Sequence, residues 1–239
     1  YGSSESILVA GDMVHASTVQ LRAMEGPVIV DGGTVTDWNI AKNPTVNTRI
    51  RLRNGATLLQ GSETTTLKEH DSVYVHDTGN EIVVNGALHW HGQLSCSVGS
   101  ELTITCKPGA QLTISPQVAK SWHIAAGARV IIRGSGTVIF GTNFDLSLAE
   151  TAGGASQFIL QDGIRCVVAA GTTWQVSGKG VVLLDSDASC MLEPGARWFV
   201  GMQQQDEVAV HLDRHSSVLV GHGPTTCSVG LPAQWSCAL

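Results

Sequence analysis

Two stretches, HIAAGARVIIRGSGTVIFG at residues 123–141 and VVAAGTTWQVSGKGVVLLD at residues 167–185, repeat one pattern 44 residues apart. Gly127, Gly134 and Gly136 of the first align with Gly171, Gly178 and Gly180 of the second. Ala125 and Ala126 align with Ala169 and Ala170, and Val138-Ile139-Phe140 with Val182-Leu183-Leu184. Residue type recurs while identity does not. A chain reads this way when successive units stack and each buries the face of its neighbour.

Working outward, similar turns open at Gly109, Gly127, Gly154, Gly171, Gly195 and His215, at intervals of 18, 27, 17, 24 and 20 residues, with a mean of about 21. Five residues past each turn stand Ile114, Ile132, Ile159, Val176, Val200 and Val220, all β-branched. Three past stand Leu112, Val130, Gln157, Trp174, Trp198 and Val218, apolar but for Gln157. These two positions share one face of a strand, because side chains alternate with period two. Neighbouring positions are often polar, as at Thr113, Arg129, Gln175 and Arg197. The pattern predicts an all-β protein, a β-solenoid (parallel β-helix) with coils of about 21 residues. The alternative with the same short strands and Gly-rich turns is an antiparallel β-sandwich or jelly roll. No sustained helical period is visible, and SPQVAKSW at 115–122 offers at most a short helical turn. NGATLLQG (54–61), VNGALHWHG (84–92) and VGSELTITC (98–106) fit the same unit. The organisation expected is an N-terminal cap or irregular first coils over residues 1–50, the solenoid over 51–225, and a C-terminal segment over 226–239.

Three local expectations follow from that register. Ile132, Val176 and Val200 are buried in one stacked row. Gly134 and Gly178 occupy equivalent turns, at least one with positive φ, which glycine adopts without a Cβ penalty. Cys166 and Cys190, each five residues before a turn glycine, are neighbours in successive coils, bonded to each other if the protein is secreted and a free-thiol ladder if it is cytosolic.

Composition narrows the function classes. Only 14% of the 239 residues are charged, the net charge is −6, and no basic run is present. The electrostatic footprint of a nucleic-acid binder is therefore missing. No apolar run reaches the roughly 18 residues of a membrane-spanning helix. Starting at Tyr1 rather than Met suits a processed or trimmed chain. The six cysteines, 96, 106, 166, 190, 227 and 237, contain no C-x-x-C pair. They read either as three disulfides in an oxidising compartment or as buried free thiols acting as small hydrophobes.

The turn-plus-strand units Asn54-Gly55-Ala56-Thr57-Leu58 and Pro108-Gly109-Ala110-Gln111-Leu112-Thr113-Ile114 resemble those of β-helical passengers of the autotransporter type. Phage-tailspike β-helices are similar. The resemblance covers residues 54–221 and implies a parallel β-helix. Phe140-Gly141-Thr142-Asn143 and Gly153-Gly154-Ala155-Ser156 each occur once, where the chlamydial polymorphic passenger family repeats such motifs and carries an aliphatic residue at the last position of the second.

Gly221-His222-Gly223 resembles an element of polygalacturonases, which are right-handed β-helices. Those enzymes add an aspartate pair one coil before and an Arg-Ile-Lys one coil after. Asp185 and Asp187 stand upstream, and no Arg-Ile-Lys follows. On a strand, i and i+2 carboxyls lie about 7 Å apart, within the range for glycoside hydrolysis. The plainer reading is a polar turn, LDSDAS. Histidines cluster at His89 and His91, at His211 and His215 around Asp213, and at His70-Asp71 and His76-Asp77. No cluster supplies the four ligands of structural zinc, and neither metal nor cofactor is expected. Trp174 and Trp198 are either a sugar-stacking platform or, on the inward row, an interior stack.

The function expected from these residues is an extracellular, cell-surface or virion structural or adhesive solenoid. It is non-enzymatic, self-associating through open strand edges, and has a glycan as its candidate ligand. The alternative is a carbohydrate-active β-helix using Asp185, Asp187 and His222.

Overall fold

The computed structural model describes residues 7–10, 28–36, 38, 49–116, 122–152, 154–185, 187–201, 207–212, 215–220, 226–229 and 234–237. Within strands, alternation becomes an inside and an outside. In Glu101–Cys106, Leu102, Ile104 and Cys106 are buried while Glu101, Thr103 and Thr105 reach solvent. Three such strands make one coil. Ser72–Val75 lies on face A, Asn80–Val84 on face B and Ala87–Trp90 on face C. The next coil repeats the order with Gln93–Cys96, Glu101–Cys106 and Gln111–Ile114, each hydrogen-bonded in parallel to its counterpart. Parallel stacking continues through all the described coils and excludes the sandwich and jelly roll. Among the described residues the one antiparallel pair, Glu150–Thr151 with Gly154–Ala155, is a small excursion at an A–B corner. Thr173–Leu184 rounds such a corner without ending, pairing on face A through Val176 and on face B through Val182.

The structure is thus a parallel β-solenoid, with coils of about 24 residues rather than 21. Leu88 to Leu112, Cys166 to Cys190 and Trp174 to Trp198 are each one 24-residue coil. Val130 to Phe158 takes 28 residues and Leu146 to Val176 takes 30. The shorter expected period has a geometric cause. The turn at Gly109 leads into face C, those at Gly127 and Gly154 into face B, those at Gly171 and Gly195 into face A, and that at His215 back into face C. Intervals of 27 and 24 are whole coils, and those of 18, 17 and 20 are two-thirds of one.

This mixing of faces corrects two expectations. Ile132, Val176 and Val200 are all fully buried, but Val176 stacks on Val200 in face A while Ile132 stacks on Leu160 in face B. At the Gly154 turn the frame slips by one. Phe158 and Leu160 point inward, and Gln157 and Ile159 stand on the outer rows. Strands Val28–Asp31 and Thr34–Thr36, in the expected cap or irregular first coils, pair with faces A and B of the next coil. Thr226–Val229 and Gln234–Cys237, in the expected C-terminal segment, continue those faces. Most of 115–122 falls outside the described residues, and Trp122 begins a strand.

The 44-residue echo is one corner device used at two different edges. Gly134 ends a face-B strand with φ +103°, and Gly178 sits at an A–B corner with φ +90°. A Cβ on Gly134 would lie 2.3 Å from the Cys106 carbonyl oxygen, and one on Gly178 2.0 Å from that of Leu148. Both carbonyls belong to the coil beneath. A Cβ on Gly136 or Gly180 would lie 2.7 Å or 2.8 Å from the Cβ of the same Cys106 or Leu148. Glycine-x-glycine lets the chain bend sharply while pressed onto the preceding coil.

The coil interior is filled by a column of rings. Trp90 packs on Trp122 at 5.0 Å, Trp122 on Phe144 at 5.5 Å, and Phe144 on Phe140 at 4.8 Å. Phe140 then stacks on Trp174, and Trp174 on Trp198, both at 4.6 Å. Corners are sealed by buried amides. Asn80 accepts the Ala56 N–H and donates to the carbonyls of His76 and Asp77.

Replacing Gly178 with Ala is expected to lose the roughly 1–2 kcal/mol of a left-handed backbone and more from the carbonyl contact. Gly109→Ala, with nothing within 4 Å of its Cβ position, isolates the backbone part. Urea unfolding compares the two, and equal losses would refute the corner account. Trp174→Ala, between Phe140 and Trp198 in the ring column, is expected to cost about 3–5 kcal/mol in the same assay.

Candidate functional site

Asp185 and Asp187 are not on one strand face. The Asp185 N–H donates to the Leu160 carbonyl and its own carbonyl accepts from the Ala188 N–H, forming the turn from face B to face C. Asp187 is exposed with φ +64°. One coil earlier the aligned position is Gly163, at φ +77°. Asp187 therefore fills a left-handed turn position, which aspartate tolerates better than most residues. The polar-turn reading describes this corner, and His222 lies outside the described residues.

The histidines disperse. His89 and His91 face each other with ring centroids 6.4 Å apart, and His91 Nδ1 lies 2.9 Å from the Ser115 carbonyl oxygen. Asp71 is buried and its carboxylate accepts the Lys68 N–H. His76 and Asp77 sit on an exposed corner, with Asp77 at φ +64°. His211 is exposed and His215 is at φ +65°, while Asp213 lies outside the described residues. Among the described residues no three His, Cys, Asp or Glu side chains gather as metal ligands. Trp174 and Trp198 are fully buried in the ring column, which removes them as a sugar platform.

Cys166 and Cys190 are neighbours as their shared register requires, with Cα partners in adjacent strands and Sγ atoms 3.6 Å apart. They are free thiols, as are Cys96 and Cys106, and all four are buried. The ten-residue spacing of 96 and 106 carries the chain from face A to face B, so it marks a step around the coil rather than a bond. Burial pushes Cys96 and Cys106 from 9.0 up to about 12, with a Ser100 hydrogen bond drawing Cys96 slightly back. Burial, followed by each other's proximity, raises Cys166 well above the usual thiol range.

A shallow concave feature lies on the outside among the described residues. On face A, Tyr74, Ser95 and His123 stand in register on three successive strands. With Ser72 and Gln93 beside them they line a shallow groove of about 200 Å³. Tyr74 is 37% exposed, one of few large apolar side chains so placed among the described residues. His123 Nδ1 lies 3.4 Å from Ser147 Oγ on the next strand. Every member of this row is an unremarkable outward residue of its own strand. What joins them is pairing across 21 and 28 residues, and no local motif signals it.

Comparison with protein-family models, with curated proteins and with solved structures finds no match. Among the described residues no helix is long and apolar enough to cross a membrane.

The raised thiol pKa values have a readable sign. An unfolded thiol ionises near pH 9, whereas folded Cys96 and Cys106 stay neutral to about 12. Their stabilisation is whole below pH 9 and is lost as pH rises toward 12. The unfolding temperature is expected to fall across that window. At pH 8 iodoacetamide is expected to spare Cys96, Cys106, Cys166 and Cys190 in the native protein and to label all four in urea, read by peptide mass spectrometry. Native labelling of any of them would contradict their burial.

Proposed function

We propose that this chain is a rigid structural or adhesive module. It is non-enzymatic and works outside the cell, on a cell surface or on a virion. The observation that carries the reading is the in-register stack itself. Its seven described face-C strands extend about 30 Å at about 4.8 Å per step, around an interior packed with rings. Such a body holds its outer side chains at fixed spacing along flat faces, which suits display and contact over a length. The reading includes self-association along the axis through strand edges.

The experiment is incubation with acidic and neutral polysaccharides, followed over time for new reducing ends, with sedimentation velocity on the same preparation. The expected outcome is no increase over buffer. A steady increase that Asp185→Asn abolishes would replace the structural reading with the hydrolytic one.

A further inference from the structure

We propose that the groove on face A, extended by Arg49 and Arg51, is a binding site for a carboxylated saccharide. The proposal rests on the adhesive reading above and gives it a ligand class and a location. Arg49 and Arg51 are exposed on the strand next to Tyr74, with Arg49 in register with Ser72 and Arg51 with Tyr74. Among the described residues neither makes an ion pair. The third arginine of that strand, Arg53, is held by Asp31 at 2.7 Å. Two guanidiniums on one strand face are a local positive step on a chain whose net charge is −6.

The groove and the step fit different parts of one ligand. Guanidinium groups bind carboxylates through paired, charge-assisted hydrogen bonds. Beyond them, the half-exposed Tyr74 ring offers an apolar face for a sugar ring. The Ser95 hydroxyl, the Gln93 amide and the His123 ring are donors and acceptors for sugar hydroxyls. Ser147 engages His123 Nδ1, leaving Nε2 for the ligand. The short Ser95 side chain, between Tyr74 and His123, opens a notch between two larger groups about 10 Å apart along the axis. At about 200 Å³ the groove is smaller than the roughly 300 Å³ at which drug-sized pockets begin, and it suits one or two sugar rings. Two arginines are too few for a nucleic-acid backbone, which is bound through many phosphate contacts. An extended peptide adds at a sheet edge, whereas the backbone under this groove is already paired on both sides.

The test is calorimetric titration of the whole chain with a hyaluronan hexasaccharide, which carries carboxylates, and with chitohexaose, which is neutral. Hyaluronan is expected to bind at least about tenfold more tightly, and added salt to weaken it. Arg51→Gln and Tyr74→Ala are each expected to weaken it at least about tenfold, and Arg51→Lys to recover part of the loss. Arg197→Gln, at an exposed position far along face A, is expected to leave binding unchanged. All three residues changed are at the surface, and unaltered unfolding temperatures of the four variants verify that the fold is kept. Equal affinity for the two sugars, no binding of either, or indifference to Arg51→Gln and Tyr74→Ala would overturn the site. Binding accompanied by new reducing ends would instead sustain the site and overturn the non-enzymatic reading, so the two failures are distinguishable.

Discussion

Parallel, in-register stacking at about 4.8 Å is the constraint from which the rest of this molecule follows. Every residue must accept whatever stands above and below it. Inside, like therefore sits on like: Trp174 on Trp198, Val176 on Val200, Cys166 on Cys190. Outside, like charges in register would repel, and the outer rows pair opposites between coils. Asp31 meets Arg53, Glu101 meets Arg129, Lys179 meets Glu207, and Glu81 and Arg133 meet across Thr105. These exposed pairs are each worth about 0–1 kcal/mol, so they help set register more than they hold the fold. The arithmetic of burial falls on the interior column instead.

Stacking also decides where the chain can vary. Strands keep their period, while corners absorb differences in length, from 21 residues between Val73 and Leu94 to 30 between Leu146 and Val176. The antiparallel excursion at Glu150–Ala155 lies within the longest of these coils. Corners must still fit the coil beneath. At Gly134 and Gly178 only a residue without a side chain fits over the lower carbonyl. At Asp187 the backbone turns the same way with more room, and an aspartate serves.

Fold class was legible because two short-range signals, period-two alternation and turn glycines, survive in any single strand. Face assignment was not, because the three faces use the same turn chemistry and the corners vary in length. A fixed origin then drifts from one face to another, as happened between Gly109, Gly127 and Gly171. Gln157 was the visible warning, a polar residue on a supposed inward row that turned out to be an outward one. Cys166 and Cys190 were legible because both lie on face C one undisturbed coil apart. The polar turn at Asp185 and Asp187 was legible in LDSDAS, and the strand-pair alternative fell once the turn between faces was placed. The face-A groove stayed hidden because Tyr74, Ser95 and His123 belong to three different coils.

The ring column has an optical consequence. Trp174 and Trp198 lie 4.6 Å apart with planes inclined by 1°, close enough for their transition dipoles to couple and share excitation. Phe140 and Phe144 continue the contact toward Trp122 and Trp90. The near-ultraviolet spectrum thus reports how coils are aligned with one another rather than how much strand is present. A chain that kept its strands but slipped a coil would keep its amide signal and lose this one.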